Sequence, residues 1–491
     1  MKKIYAKRII GSLLVIILSC CILNHLSTIV RTKDPWYRKS TFIDNSDDVD
    51  VLFFGTSHAV NAIFPMELWN EYGITSYNMA GHGNTIPNSY WIMMNSLDYA
   101  NPKLIVLDCW GMTSPEKTSE SYLHWSMDNF KLSKNKVYAI NDLFPETSKR
   151  IEYLWDFSLY HSRWSDLSRE DFDAQPYIQY GGEPRIAVSI PNELLDITTI
   201  EKKSFDTCGT EYLKKFIEEC QARGIPILLT YLPFPATKVQ VNESLVIHDI
   251  ANEYGINYIN FLELDVVNYD TDCYDEASHL NFSGAGKITK YIGSYIKSNY
   301  QIEDKRGNSR FHDWDENYEL YKSYKVDTAK EQTDLATYLM LLRNKDISLC
   351  LYIKGNSDIL KDKQIYSLID NISIYQKLTH LKQACENKQD YFAIIDNGWE
   401  EIWECVGDES IINLNSTFGN INYFTENAQK VLYIQDSDKN YISESNNSYI
   451  NGEIEIILID KWTGEIIDEV FFVKNNNSSI TKVQLSDEAS K

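Results

Sequence analysis

Four short, largely apolar runs, Val51–Phe54, Leu104–Leu107, Ile227–Tyr231 and Tyr258–Asn260, recur between about Asp47 and Tyr300, with helical patterns between them. A strand that is apolar on both faces needs cover on both faces, which is the habit of a parallel sheet flanked by helices. The intervening segments supply that cover. Tyr212–Arg223 sets Leu213, Phe216, Ile217 and Cys220 on one face and stops at Gly224, and Leu245–Tyr254 stops at Gly255 in the same way. The alternation predicts a doubly wound α/β domain, whose functional residues lie at the carboxyl ends of its strands.

The N-terminus restricts the compartment. Lys2, Lys3, Lys7 and Arg8 precede a run from Ile9 to Val30 that carries no formal charge. A run of about 20 such residues is long enough to span a bilayer, and a basic flank stays on the cytoplasmic side. Residues 1–31 are therefore expected to be a cytoplasmic stub and transmembrane signal anchor, with everything after Arg31 outside a bacterial cell. The apolar run continues through Cys20, Cys21, Ile22 and Leu23, which speaks against a cleaved signal peptide. Ile17-Leu18-Ser19-Cys20 also resembles a lipoprotein processing box, the alternative form of anchor.

The nine cysteines show no close pairing of the kind a zinc site or a disulfide framework requires, and neither a metal nor a cofactor is expected. A formal net charge of -23 argues against nucleic acid as a partner, because phosphate binding needs clustered Lys and Arg.

At 491 residues the chain exceeds one ordinary core. Residues 45–300 are expected to form the α/β domain, with an insertion at 110–203. Residues 301–325 read as a linker, 326–474 as an accessory domain and 475–491 as a flexible tail. Thr333–Arg343 has a helical pattern, Ile347–Ile353 and Tyr391–Ile395 read as strands, and Asp396-Asn397-Gly398 as a turn. Ile454–Ile459 and Glu465–Val473 around Gly464 form a hairpin signal, so this half is expected to be α+β or mostly β.

Two segments carry the chemistry. The first strand run enters Gly55-Thr56-Ser57-His58, and Asp275-Glu276-Ala277-Ser278-His279-Leu280-Asn281 sets a histidine three and four residues after carboxylates. Ser57 as nucleophile, His279 as general base and either Glu276 or Asp275 as orienting acid make the minimum set for acyl transfer through a serine. With His279 present, His58 is expected to pack beside the nucleophile. Asp108, closing its strand run, is expected to cap a turn.

These motifs resemble the SGNH or GDSL hydrolases across residues 47–300. Gly55-Thr56-Ser57 matches the family's first block, Asn78-Met79-Ala80-Gly81-His82-Gly83-Asn84-Thr85 its second, and His279-Leu280 its last. The resemblance implies backbone N–H groups of Ser57 and Gly83 facing an oxyanion. It also implies substrate contacts around His58, Asn84 and Trp110. Two departures stand out: Glu276 occupies the position where the family carries aspartate, and Leu104–Gly111 lacks the family's third-block asparagine. Within the family the chain most resembles membrane-anchored proteins of alginate and peptidoglycan O-acetylation and of teichoic acid D-alanylation. That likeness implies acyl transfer to a cell-surface polysaccharide, an acyl donor and a membrane-bound O-acyltransferase partner. The insertion, with His124, His161 and Arg163, is similar to theirs and suits a sugar or acyl donor. A carbohydrate esterase would use the same residues, and a glycan-binding scaffold of weakened catalysis is the non-enzymatic alternative.

Overall fold

The computed structural model describes residues 2–31, 37–114, 119–144, 146–147, 149–155, 157–172, 178–191, 194–276, 279–374, 376–396, 401–416, 419–426, 429–435, 441–445, 453–461, 463–474 and 480–484. The chain divides into two compact units. The first comprises Met1–Pro184, Glu193–Val267 and Ala285–Tyr318, and the second Arg185–Asn192, Asn268–Gly284 and Glu319–Lys491.

The first unit is built on the doubly wound parallel sheet that the apolar runs predict. Its strands β1 (Val51–Phe54), β2 (Ser76–Asn78), β3 (Leu104–Asp108), β4 (Ile227–Tyr231) and β5 (Asn257–Asn260) lie in the order β2-β1-β3-β4-β5, all parallel. Strands β1, β3 and β4 are buried along their whole length, which is why they lack the alternation of a half-exposed strand. Helix Cys208–Ala222 packs on the sheet through Phe216, whose ring meets Phe54 edge-on at 5.8 Å, and on helix Ile86–Ser96 through Cys220 Sγ, 3.6 Å from Met93 Sδ. Thr207 and Thr237 cap their helices in reciprocal boxes with Thr210 and Gln240. The β1–β3 order reversal leaves the carboxyl ends of these two strands as the crevice of the unit.

The N-terminal helix runs Lys2–Val30 and contains one stretch, Lys7–Val30, long and apolar enough to cross a membrane. The insertion between β3 and β4 carries short helices, among them Glu120–Met127, Lys134–Leu143 and Arg150–Leu154. Its return passes the sheet edge, where Asn78 N–H donates to Tyr180 O at 2.9 Å. A Cβ on the next residue, Gly181, would stand 2.0 Å from Asn78 O, so only glycine allows this approach.

The second unit holds two antiparallel sheets. One has the order β15-β14-β13-β6-β7-β8 and the other β12-β11-β10-β9, with the named strands at Ile347–Ile353 (β6), Tyr391–Asp396 (β7), Glu401–Val406 (β8), Ile411–Ser416 (β9), Gly419–Glu426 (β10), Gln429–Gln435 (β11), Tyr441–Ser445 (β12), Ile454–Asp460 (β13), Ile466–Lys474 (β14) and Ile480–Gln484 (β15). The hairpin around Gly464 is β13–β14, and Gly464 takes φ 73° at the turn. The turn expected at Asn397-Gly398 lies outside the described residues. Phe392 and Tyr423, one from each sheet, stack at 4.0 Å within a shared core.

Two segments differ from the sequence reading. Ile480–Gln484, placed in a loose tail, pairs as β15 with β14, and Lys482 is buried with its Nζ 3.1 Å from Asp468 Oδ2 and 4.5 Å from the centroid of the Tyr338 ring. Composition hides this, because a lysine stem with a paired head counts as polar. In the stretch read as a linker, His312–Glu331 is a helix. Trp314 stacks on Tyr180 at 4.3 Å and Asp315 accepts from Trp69 Nε1 at 3.1 Å, partners more than a hundred residues away in the chain.

Candidate active site

Ser57 opens helix Ser57–Ala62 directly after β1. Gly55 makes this turn with φ 147°; a Cβ there would stand 3.0 Å from the Cβ of Asp108 and 3.1 Å from that of Ala59. The turn is tight because β1 and β3 are neighbours and their ends nearly touch. Thr56 caps the helix, its Oγ1 accepting from His58 N–H at 3.3 Å. Gly55, Thr56 and His58 are buried and Ser57 is half-buried, so the hydroxyl-bearing residue is the one that reaches the surface of the crevice.

The second block is hydrogen-bonded to this turn. Gly55 O accepts from Gly81 N–H at 3.1 Å and from Asn84 Nδ2 at 3.3 Å, while Asn78 Nδ2 donates to Ala59 O and Ile63 O at 2.8 and 3.0 Å. Asn84 is thus a buried strut of the loop, where a substrate contact was expected. Gly83 has φ 63°, and a Cβ on it would fall 2.2 Å from the Tyr122 ring. Both the backbone and the insertion therefore demand glycine at this position. His82 Nε2 lies 2.8 Å from Glu183 Oε2, and Glu183 N–H donates to Val60 O at 2.9 Å. Nothing in the sequence pointed to Glu183, which reaches His82 across 101 residues.

The third block packs beside the nucleophile. His58 stacks on Trp110 at 4.5 Å and meets Phe234 edge-on at 4.5 Å, so both His58 and Trp110 serve here as aromatic packing around Ser57. Asp108 is buried at the end of β3 and accepts from Leu232 N–H at 3.0 Å, a contact to the residue after the neighbouring strand β4. Burial pushes its carboxyl up to about 7 against that hydrogen bond. The unfolded chain surrenders this proton first as pH rises. The contribution of Asp108 to stability is therefore full below its unfolded value, falls between about pH 4 and pH 7 and stays lost above. Asp108→Asn is expected to remove this slope, moving the Tm difference in favour of the variant between about pH 5 and about pH 8, with a bound on the order of 4 kcal/mol. Thermal unfolding of both proteins checks this; a constant Tm difference would refute it.

In the second unit, the loop Asn268–Gly284 carries the other candidates. Asn281 fixes it, donating from Nδ2 to Thr271 O at 2.8 Å and to Cys273 O at 3.2 Å, and Tyr274 N–H donates to His279 O at 2.8 Å. Ser189 N–H donates to Cys273 O and Phe282 N–H to Arg185 O, which ties residues 185–189 to this loop. Within it, both oxygens of Asp275 serve His279. Oδ2 is 2.6 Å from Nδ1, and Oδ1 accepts from the His279 backbone N–H at 3.1 Å. Glu276 is exposed, and Ala277 and Ser278 lie outside the described residues. A carboxylate on Nδ1 selects the tautomer in which Nε2 carries the lone pair, the arrangement a general base requires.

Three insertion residues expected to meet substrate have internal partners. His124 is buried with Nδ1 3.0 Å from Asp128 Oδ2, His161 Nδ1 lies 2.9 Å from Ser158 O, and Arg163 donates to Val30 O at 2.6 Å and to Asp171 Oδ1 at 3.1 Å. The contact with Val30 ties the insertion to the end of the N-terminal helix.

No family model and no curated protein matches the chain. Among solved structures it is similar to a GDSL-like lipase from Bacteroides thetaiotaomicron VPI-5482, at 12% identity and a TM-score of 0.28, over 54% of this chain and 98% of the lipase. It is likewise similar to a mutant of the esterase AlinE4, at 13% identity and a TM-score of 0.21, over 52% of this chain and 97% of the esterase.

Proposed function

We propose that this protein is a membrane-anchored serine acyltransferase that passes an acyl group through Ser57 to a hydroxyl of a cell-surface polysaccharide. The observation that carries the reading is the Asp275–His279 pair, an imidazole held at Nδ1 by a carboxylate, in a chain whose first strand delivers a serine at a glycine-tight turn. His279 Nε2 takes the Ser57 proton as Oγ attacks the acyl carbonyl, and the imidazolium returns that proton to the leaving oxygen as the acyl-serine forms. In the second half, His279 takes the proton of the sugar hydroxyl as it attacks the acyl carbonyl, and the imidazolium returns that proton to Oγ as the acyl–Oγ bond breaks, which restores Ser57. The backbone N–H groups of Ser57 and Gly83 are assigned to the developing oxyanion. The third-block segment Leu104–Gly111 holds no asparagine to offer a side-chain donor, so the reading assigns only two donors.

Transfer and hydrolysis share the first half-reaction; the apolar N-terminal helix and the resemblance to membrane-anchored O-acylation proteins favour transfer. An external membrane face, an acyl donor and a membrane-bound O-acyltransferase partner belong to the same proposal. The full chain in detergent, given p-nitrophenyl acetate with and without polysaccharide fragments, is expected to turn over faster with the fragments and to yield acetylated sugar. Turnover indifferent to fragments, with free acetate as the sole product, would assign it instead as an esterase.

A further inference from the structure

Glu120 and His124 lie one helical turn apart on helix Glu120–Met127, and Glu152 lies on helix Arg150–Leu154. One ligand atom from each comes within 4.8 Å of the other two. Two surface carboxylates alone would say little; His124 makes the difference. Its side chain is 6% exposed, its Nδ1 stands 3.0 Å from Asp128 Oδ2, and the Tyr160 hydroxyl donates to that same oxygen at 2.9 Å. Its ring is clamped on Tyr153 at a centroid distance of 3.8 Å. With Nδ1–H donating to Asp128, Nε2 carries the lone pair. That nitrogen is buried and has no hydrogen-bond partner among the described residues. A buried acceptor left unpaired is costly, and a bound cation would satisfy it.

We propose that Glu120, His124 and Glu152 form a site for a divalent metal ion, with Zn2+ as the ion that fits. One imidazole nitrogen and two carboxylate oxygens are donors that Zn2+ accepts, with a fourth position left for water. Asp128 is the outer carboxylate that orients the imidazole, and Tyr160 orients Asp128 in turn. Lys149 Nζ, 2.8 and 3.0 Å from the two Glu120 oxygens, occupies the place of a cation beside one of the ligands. Metal and ammonium therefore compete for Glu120. The site lies in the insertion.

The test is calorimetric titration of the chelator-treated full chain in detergent with Zn2+, followed by thermal unfolding. One saturable site per chain and a raised Tm are expected. Glu152→Gln and Glu120→Gln, at half-buried and exposed positions, should each weaken it at least about 10-fold, and Asp128→Asn about 10- to 100-fold. Lys149→Met should tighten it, an effect that a purely structural role for these residues would not give. Near-UV circular dichroism verifies that each variant is folded. The exposed Cys20 and Cys21 are sulfur ligands of their own. A saturable site that persists unchanged when both glutamates are replaced lies elsewhere and overturns the proposal, as does the absence of saturable binding.

Discussion

Ser57→Ala is expected to abolish the acyl adduct that the wild-type full chain forms with p-nitrophenyl acetate, and to lower kcat by about 10^3- to 10^6-fold. The reason is local. Ser57 is the only hydroxyl residue of the Gly55–His58 turn that reaches the surface, since Thr56 is buried with its Oγ1 engaged as a helix cap. Removing one oxygen from a half-buried position disturbs little packing, so the Tm should hold while turnover is lost. On the proposed mechanism, His279→Ala should give a comparable loss, with effects that do not add to those of Ser57→Ala. Intact mass after brief exposure to the ester measures the adduct, and an adduct of undiminished yield on Ser57→Ala would end the serine mechanism.

The second large effect separates two adjacent carboxylates. Asp275→Asn should cost about 10^4-fold in kcat with little change in KM, because an amide at this position no longer selects the tautomer with its lone pair on Nε2. The backbone contact survives, since the amide oxygen of the variant can still accept from His279 N–H as the carboxylate does. The loss is therefore one of protonation state and orientation. Glu276→Gln, at an exposed position, should leave kcat unchanged. Steady-state kinetics on the pair of variants decides the matter, and the reverse pattern would transfer the role to Glu276.

That choice marks a limit of reading from spacing alone. Three residues before the histidine stands Glu276 and four before it stands Asp275; either reaches an imidazole if the loop bends to suit. The loop bends as it does because Asn281 holds Thr271 O and Cys273 O, and because residues 185–189 lie against it. One of these constraints is local to the loop and the other comes from residues nearly ninety positions earlier in the chain. They leave no periodic trace in the segment that contains Asp275.

Four of the five parallel strands, all but β2, were by contrast legible to within a residue or so. Val51–Phe54, Ile227–Tyr231 and, in the antiparallel half, Ile347–Ile353 have the same bounds in the structure as in the sequence pattern, since each is a continuous buried run closed by turn or helix signals. The place of Ser57 directly after the first strand was legible for the same reason, whereas the capping of the following helix by Thr56 is a finding of the structure.

Much of the local order of the α/β domain therefore came from the sequence itself: most of its strands and helices, where the apolar helix lies, and where a serine and a histidine stand in the loops after them. Burial periodicity, caps and glycine conformations act over a few residues and are written into consecutive positions. The tertiary structure alone decided what those side chains meet. It placed Tyr122 against Gly83, Glu183 on His82, Trp110 and Phe234 around His58, Lys482 beside Asp468, and Asp275 on His279. Most of these partners are joined across long stretches of chain, and the energy of such a contact depends on shape and distance in three dimensions, which residue type and spacing do not encode.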